Sequence, residues 1–175
     1  MTTLIDVLDS AVKIGLGAAI SGLATYATMS AKTKQDILLD TLRKRREILE
    51  GVAEQTEYFT NAILRYWAAM VELARNRELK QKSTNLVLDK IEIAATDIVD
   101  GAKYLSGAEA KLLLLGYEES QNLLRDYGEF CIAFRRSIWP EKEELYSGEI
   151  EQKKSEILDK RKLFFDSLRD AYEKQ

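Results

Sequence analysis

Grouped carboxylates are the first residues in this chain whose types and spacing could do chemistry: Glu118-Glu119, and Glu141, Glu143 and Glu144. Carboxylates projecting inward from facing helices build di-iron centres, but those sites also need Glu-x-x-His pairs. The chain contains no histidine, so the commonest general base and the commonest metal ligand are both missing. These acids are expected on solvated helix faces. The single cysteine, Cys131, lies among Phe130, Ile132 and Phe134. With no histidine to activate it, it reads as a small core residue rather than a nucleophile. One cysteine also excludes an intramolecular disulfide. Gly15-x-Gly17 has neither the strand nor the further glycine spacing of a phosphate-binding loop. No catalytic residue, metal ligand or cofactor is assigned, and no enzymatic activity is expected.

Basic residues are the next candidates. Arg43, Lys44, Arg45 and Arg46 form a run, preceded by Lys32 and Lys34. Net charge is −3, with both signs interspersed along the chain, which argues against a broad nucleic-acid-binding surface. The aromatic pairs Tyr58-Phe59 and Tyr66-Trp67 are read as core and boundary residues. No pattern identifies a small-molecule substrate.

The elements that position these residues begin with an uncharged run, Ile14 to Ala31, reading IGLGAAISGLATYATMSA. Its eighteen residues would cover about 27 Å as a helix, near the thickness of a bilayer's hydrocarbon core. The apolar content is moderate, because Gly, Ala, Ser and Thr fill much of the run. Such small side chains suit helix–helix contact within lipid. Ala11, Gly15, Ala18, Gly22 and Thr25 recur at spacings of four and three, forming one packing seam. The leading expectation is a single transmembrane helix over about 12–31. A helix buried in a soluble assembly is the alternative. A cleaved signal peptide fits less well, since Asp6 and Asp9 stand where a basic region belongs.

Basic residues after the run give the expected orientation. Lys32, Lys34 and the Arg43–Arg46 cluster favour a cytoplasmic location for the remainder of the chain, leaving the N-terminus outside. Lys32 and Lys34 are placed to meet headgroups. The cluster at 43–46 would stand about 20 Å further on if its helix is upright, beyond a Debye length of about 8–10 Å.

Beyond the run the pattern is all-α. Leu38, Leu42, Arg45, Leu49, Val52, Thr56, Phe59, Ile63, Tyr66, Met70 and Leu73 alternate gaps of four and three, a heptad seam interrupted by Arg45 and Thr56. The periodic segment continues to about Lys82, where Ser83-Thr84-Asn85 offer capping groups. A second stripe runs Leu88, Ile91, Ala95, Ile98, Ala102, Leu105. Ser106-Gly107-Ala108-Glu109 has the spacing of a capping box, so a third helix is expected from 107 to about 136. It would bury Leu113, Leu123, Tyr127, Phe130 and Phe134. Trp139-Pro140 ends it, because the residue before proline avoids the helical region. Pro140 suits the first turn of a last helix, which carries Leu145, Ile150, Ile157, Phe164, Phe165, Leu168 and Tyr172, with a potential break at Ser147-Gly148.

Gly51 divides this into comparable segments of about 52–82, 84–105, 107–136 and 141–173, joined by short connections that favour antiparallel neighbours. The glycine can equally sit inside one unbroken helix at a cost of about 1 kcal/mol. The expected organisation is residues 1–31 with the transmembrane helix, a basic helical stalk at 32–50, and an antiparallel four-helix bundle with heptad packing at 51–175.

Such a chain is expected to act as a membrane-tethered interaction or scaffold module that associates with copies of itself or another helical protein. One alternative is a membrane-active or pore-forming oligomer, its lumen lined by Ser10, Ser21 and Thr28. Another is a soluble cytoplasmic oligomer with the N-terminal helix buried. Lipid and protein are the expected partners, nucleic acid is not.

Overall fold

The computed structural model describes the backbone of residues 4–142 and 144–173, and on the first helix the side chains of Thr25, Met29, Lys32 and every residue from Gln35 onward. Four helices account for nearly all of it: α1 (Leu4–Glu78), α2 (Asn85–Leu115), α3 (Glu118–Ser137) and α4 (Ser147–Glu173). No strand occurs among the described residues. The chain divides into two compact units, Met1–Lys44 and Arg45–Gln175.

In the first unit α1 is helical from Leu4. Ile37, Leu38 and Leu39 are all more than half exposed. Thr41 returns its hydroxyl to the Ile37 carbonyl at 2.8 Å, and Lys44 pairs with Asp40 one turn back at 2.7 Å. Among the described residues no helix is long and apolar enough to cross a membrane. The expected transmembrane segment at 12–31 lies, apart from Thr25 and Met29, outside the described side chains.

The second unit is a four-helix bundle built on the α1 stripe. Gly51 does not interrupt α1, so of the two arrangements the continuous one holds. From Leu49 to Leu73 every stripe position is buried. Each large aliphatic or aromatic side chain taken out of water there contributes about 1.5–3 kcal/mol. Thr56 fits the stripe because its hydroxyl donates to the Val52 carbonyl at 2.9 Å, leaving no orphan donor in the core. Arg45 and Leu38, by contrast, are exposed.

Neighbouring helices run antiparallel, as pairings along them show. Between α1 and α2, Lys111 donates to Gln55, Arg65 meets Asp97 and Lys90 approaches Glu72. Between α2 and α3, Glu109 meets Arg125, while Gly128 lies under Leu105. Ser120 faces Ser167 between α3 and α4. Helix α4 closes the bundle onto α1 through Tyr172–Glu50, Arg161–Glu57 and Arg75–Glu151. This is the expected up-down topology, with one core drawn from all four helices.

Helix ends differ from the sequence expectation at two places. The Ser106-x-x-Glu109 box does not start a helix: α2 runs through it to Leu115. Ser106 instead donates to the Ala102 carbonyl at 3.1 Å, the back-bonding a mid-helix serine adopts. The break comes at Gly116, in the left-handed region at φ 80°. There Gly116 N–H bonds to the Leu113 carbonyl and Tyr117 N–H to that of Leu112, the paired bonds of a Schellman stop. Leu113 consequently sits on α2 and is half exposed, while Leu112 and Leu124 take the buried places expected for Leu113 and Leu123. The α2 stripe likewise begins at Val87, with Leu88 exposed.

The second difference lies between α3 and α4. Helix α3 stops at Ser137, just before Trp139-Pro140, as the proline requires. Pro140 opens no helix, and Ser147-Gly148 begins α4 rather than interrupting it. Glu78, the last residue of α1, supplies the cap: its carboxylate accepts the Ser147 N–H at 2.7 Å and the Ser147 hydroxyl at 2.9 Å.

Candidate interaction surface

Basic residues of α1 occupy both units. Lys32 is exposed, and the Lys34 side chain lies outside the described residues, as do those of Ala11, Gly15, Ala18 and Gly22 in the seam. Thr25, the last seam residue, is exposed. Arg43 and Lys44 are exposed at the end of the first unit, where Lys44 is paired with Asp40. Arg45 and Arg46 are exposed at the start of the second, and Arg46 lies over the Tyr172 ring, 5.3 Å from its centroid. The cluster's residues are thus exposed along α1, Lys44 pairing with Asp40 and Arg46 lying over Tyr172.

The acid groups singled out for chemistry take structural places. Glu118 and Glu119 are exposed in the first turn of α3, where negative charge favours the N-terminal end of the helix dipole. Glu141 and Glu144 are exposed on the α3–α4 connection, and Glu143 lies outside the described residues. Among the described residues no three acid or cysteine groups come together to hold a metal ion.

Cys131 is fully buried on α3. Loss of water around it pushes the thiol up to about 12, with the Tyr127 hydroxyl and Lys160 opposing more weakly. A thiol so placed is un-ionised at neutral pH and is not a nucleophile. Tyr127, beside it, is raised by the same desolvation, and Phe59 meets the Tyr127 ring edge-on at 6.0 Å.

What the bundle does present is an apolar face where α1 meets α2. A groove of about 370 Å³ runs between Ala68, Ala69, Ile93 and Ala94, with Arg65, Glu72 and Lys90 along its rim. Leu86 and Ile93 are both 61% exposed, one heptad apart on the outward side of α2. Tyr58 and Tyr104 stack edge-on across the helices at 5.3 Å. The rim charges pair mainly with neighbours on the facing helix, Arg65 with Asp97 at 2.8 Å and Lys90 with Glu72 at 3.8 Å. Tyr58 therefore lies on this boundary, while Phe59 and Tyr66 are core. Trp67 is partly buried and donates its indole N–H to the Ile150 carbonyl at 2.8 Å, under the Lys154 ammonium.

No protein-family model, no curated protein and no solved structure matches this chain.

Proposed function

We propose that this chain is a membrane-tethered helical-bundle interaction module that self-associates and carries no catalytic activity. The observation that carries the reading is the continuity of α1. One helix holds the uncharged run, the basic residues after it and the stripe on which the bundle is built. A run of small residues in such a helix favours close packing against another helix in lipid. Exposed Ile37, Leu38 and Leu39 add apolar surface on the same helix. The basic residues orient the tether with the bundle in the cytoplasm.

The test is fractionation of cells expressing the full chain, followed by a carbonate wash. A tethered protein stays in the membrane pellet; release into the supernatant overturns the tether. Oligomer size in detergent tests the second half of the reading. Gly15→Leu and Gly22→Leu each widen the seam and are expected to shift the chain toward monomer. An unchanged size removes the seam as the self-association surface.

A further inference from the structure

A cleft of about 490 Å³ opens at the end of the bundle where α3 stops, within the size range of small-ligand sites. Four elements build it, α1 through Tyr66. Helix α2 supplies an apolar wall of Leu88, Ile91 and Ala95, α3 contributes Arg135 and Arg136 from its last turn, and Trp139 and Pro140 sit on the connection. Glu92 and Glu141 also reach it.

The polar groups around it are unevenly satisfied. Tyr66 donates to the Ile138 carbonyl at 2.9 Å, and Arg77 donates to the carbonyls of Pro140 and Lys142. Lys142 donates to the Ser137 carbonyl at 3.0 Å. The carbonyls of Ser137, Ile138, Pro140 and Lys142 thus each accept from a group other than Arg135 and Arg136. Arg135 Nε is buried with no acceptor, the one such side-chain atom among the described residues. A guanidinium is always charged and presents its N–H groups as a fixed fork suited to carboxylate or phosphate. Leaving that N–H buried without an acceptor is costly, and it marks Arg135, which lines the cleft, as an arginine whose fork the protein's own acceptors do not fully use.

We propose that this cleft binds a small organic carboxylate, its carboxylate held by Arg135 and Arg136 and its apolar body laid along Leu88, Ile91 and Trp139. The two glutamates narrow the class. They balance the two arginines, so a polyanion such as nucleic acid is disfavoured, and they offer acceptors to a hydroxyl or amine on the same ligand. Trp139 is 46% exposed and Leu88 44% exposed, so the apolar body would cover surface now open to water. The proposal is independent of the membrane reading, because every residue it uses belongs to the bundle.

The test uses the purified full chain and three probes: 2-naphthoate, the uncharged 2-naphthalenemethanol, and acetate. Titration calorimetry is expected to show saturable binding of naphthoate, at least tenfold tighter than the alcohol, and none of acetate over the same range. Arg136→Gln and Arg135→Gln are each expected to weaken naphthoate at least tenfold. Arg135→Lys, which keeps the charge but loses the fork, should also weaken it. Absence of saturable binding, equal affinity for acid and alcohol, or unchanged affinity in Arg136→Gln would each overturn the proposal. The probe comparison on the unmodified chain and the exposed Arg136 keep the test open should Arg135→Gln fail to fold.

Discussion

Thr60 Oγ1 and the Tyr127 hydroxyl lie 2.8 Å apart in the core of the bundle, joining α1 to α3 across sixty-seven positions of sequence. Thr60 also reaches the Thr56 carbonyl at 2.8 Å. If Thr60 donates there, the Tyr127 proton points to Thr60, and the chain of bonds has a direction. Thr60→Val then leaves the Tyr127 donor only the weak acceptor Cys131 Sγ, whereas Tyr127→Phe removes a donor and leaves only an acceptor lone pair unused. The expected cost of Thr60→Val is about 1–3 kcal/mol. The double variant should recover part of it, since both partners are then apolar. Chemical denaturation of the three variants measures this, and strict additivity would mean the two hydroxyls are not coupled.

Glycines separate the real helix stop from the apparent one. Gly107 is inside α2 with nothing within 4 Å of an added Cβ, so Gly107→Ala should stabilise by up to about 1 kcal/mol. Gly116 is at φ 80°, where an alanine costs about 1–2 kcal/mol. Opposite signs in thermal melts are the expected result. A destabilising Gly107→Ala would instead place the helix boundary at the Ser106 box.

Close packing makes Gly128 different again. A Cβ there would sit 2.5 Å from Leu105 Cδ2. Gly128→Ala is expected to lose about 1–3 kcal/mol through overpacking, and Leu105→Val in the same chain should relieve part of that loss. The check is the sign of the interaction in a double-mutant cycle.

Capping across helices makes stability respond to acid. The Glu78 carboxyl is held below its ordinary value, first by the Ser147 N–H, then by the Ser147 hydroxyl and the charge of Arg75. A depressed folded value means the contribution is complete above the unfolded carboxylate range and fades as pH falls through the lower folded value. The difference in melting temperature between the unmodified chain and Glu78→Gln should therefore be largest near neutral pH and close in that acidic window. A difference constant with pH would show that the ionised carboxylate is not what caps α4.

Burial protects Cys131. With the thiol raised to about 12 and fully enclosed, a thiol reagent such as dithionitrobenzoate at neutral pH should label it only as fast as the bundle opens. Labelling should become immediate in denaturant. Rapid labelling of the folded chain would contradict the placement of α3.

Much of the bundle is legible in the chain. The α1 stripe from Leu49 to Leu73 keeps one register without a slip, and only a buried helix face selects that pattern so strictly. Thr56 looks like an interruption of the stripe, yet it is buried, because a hydroxyl can return its proton to the preceding turn. The α2–α3 boundary is displaced from its expected place for a related reason. A Ser-x-x-Glu box describes local bonding that serine also finds inside a helix, and Glu109 is taken by Arg125 and Gln121 of another helix. The better signal is Gly116 directly after the apolar run Leu112–Leu115. In the cleft, the pattern marks Trp139 only as a helix terminator, and no spacing distinguishes Arg135 and Arg136 from other surface charges.

The order of covalent neighbours thus determined what depends on neighbours alone: helical content, the heptad period, the stop before Pro140, and the absence of histidine-based chemistry. Tertiary structure decided what depends on groups far apart in the chain. Glu78 caps a helix that begins sixty-nine positions later. Gly128 is tolerated because Leu105 fills the space where its side chain would be. Arg135 Nε is left buried without an acceptor, while Tyr66, Arg77 and Lys142 donate to the carbonyls of Ile138, Lys142 and Ser137. Periodicity is a property of one helix, whereas satisfaction of a buried polar group is a property of everything packed around it.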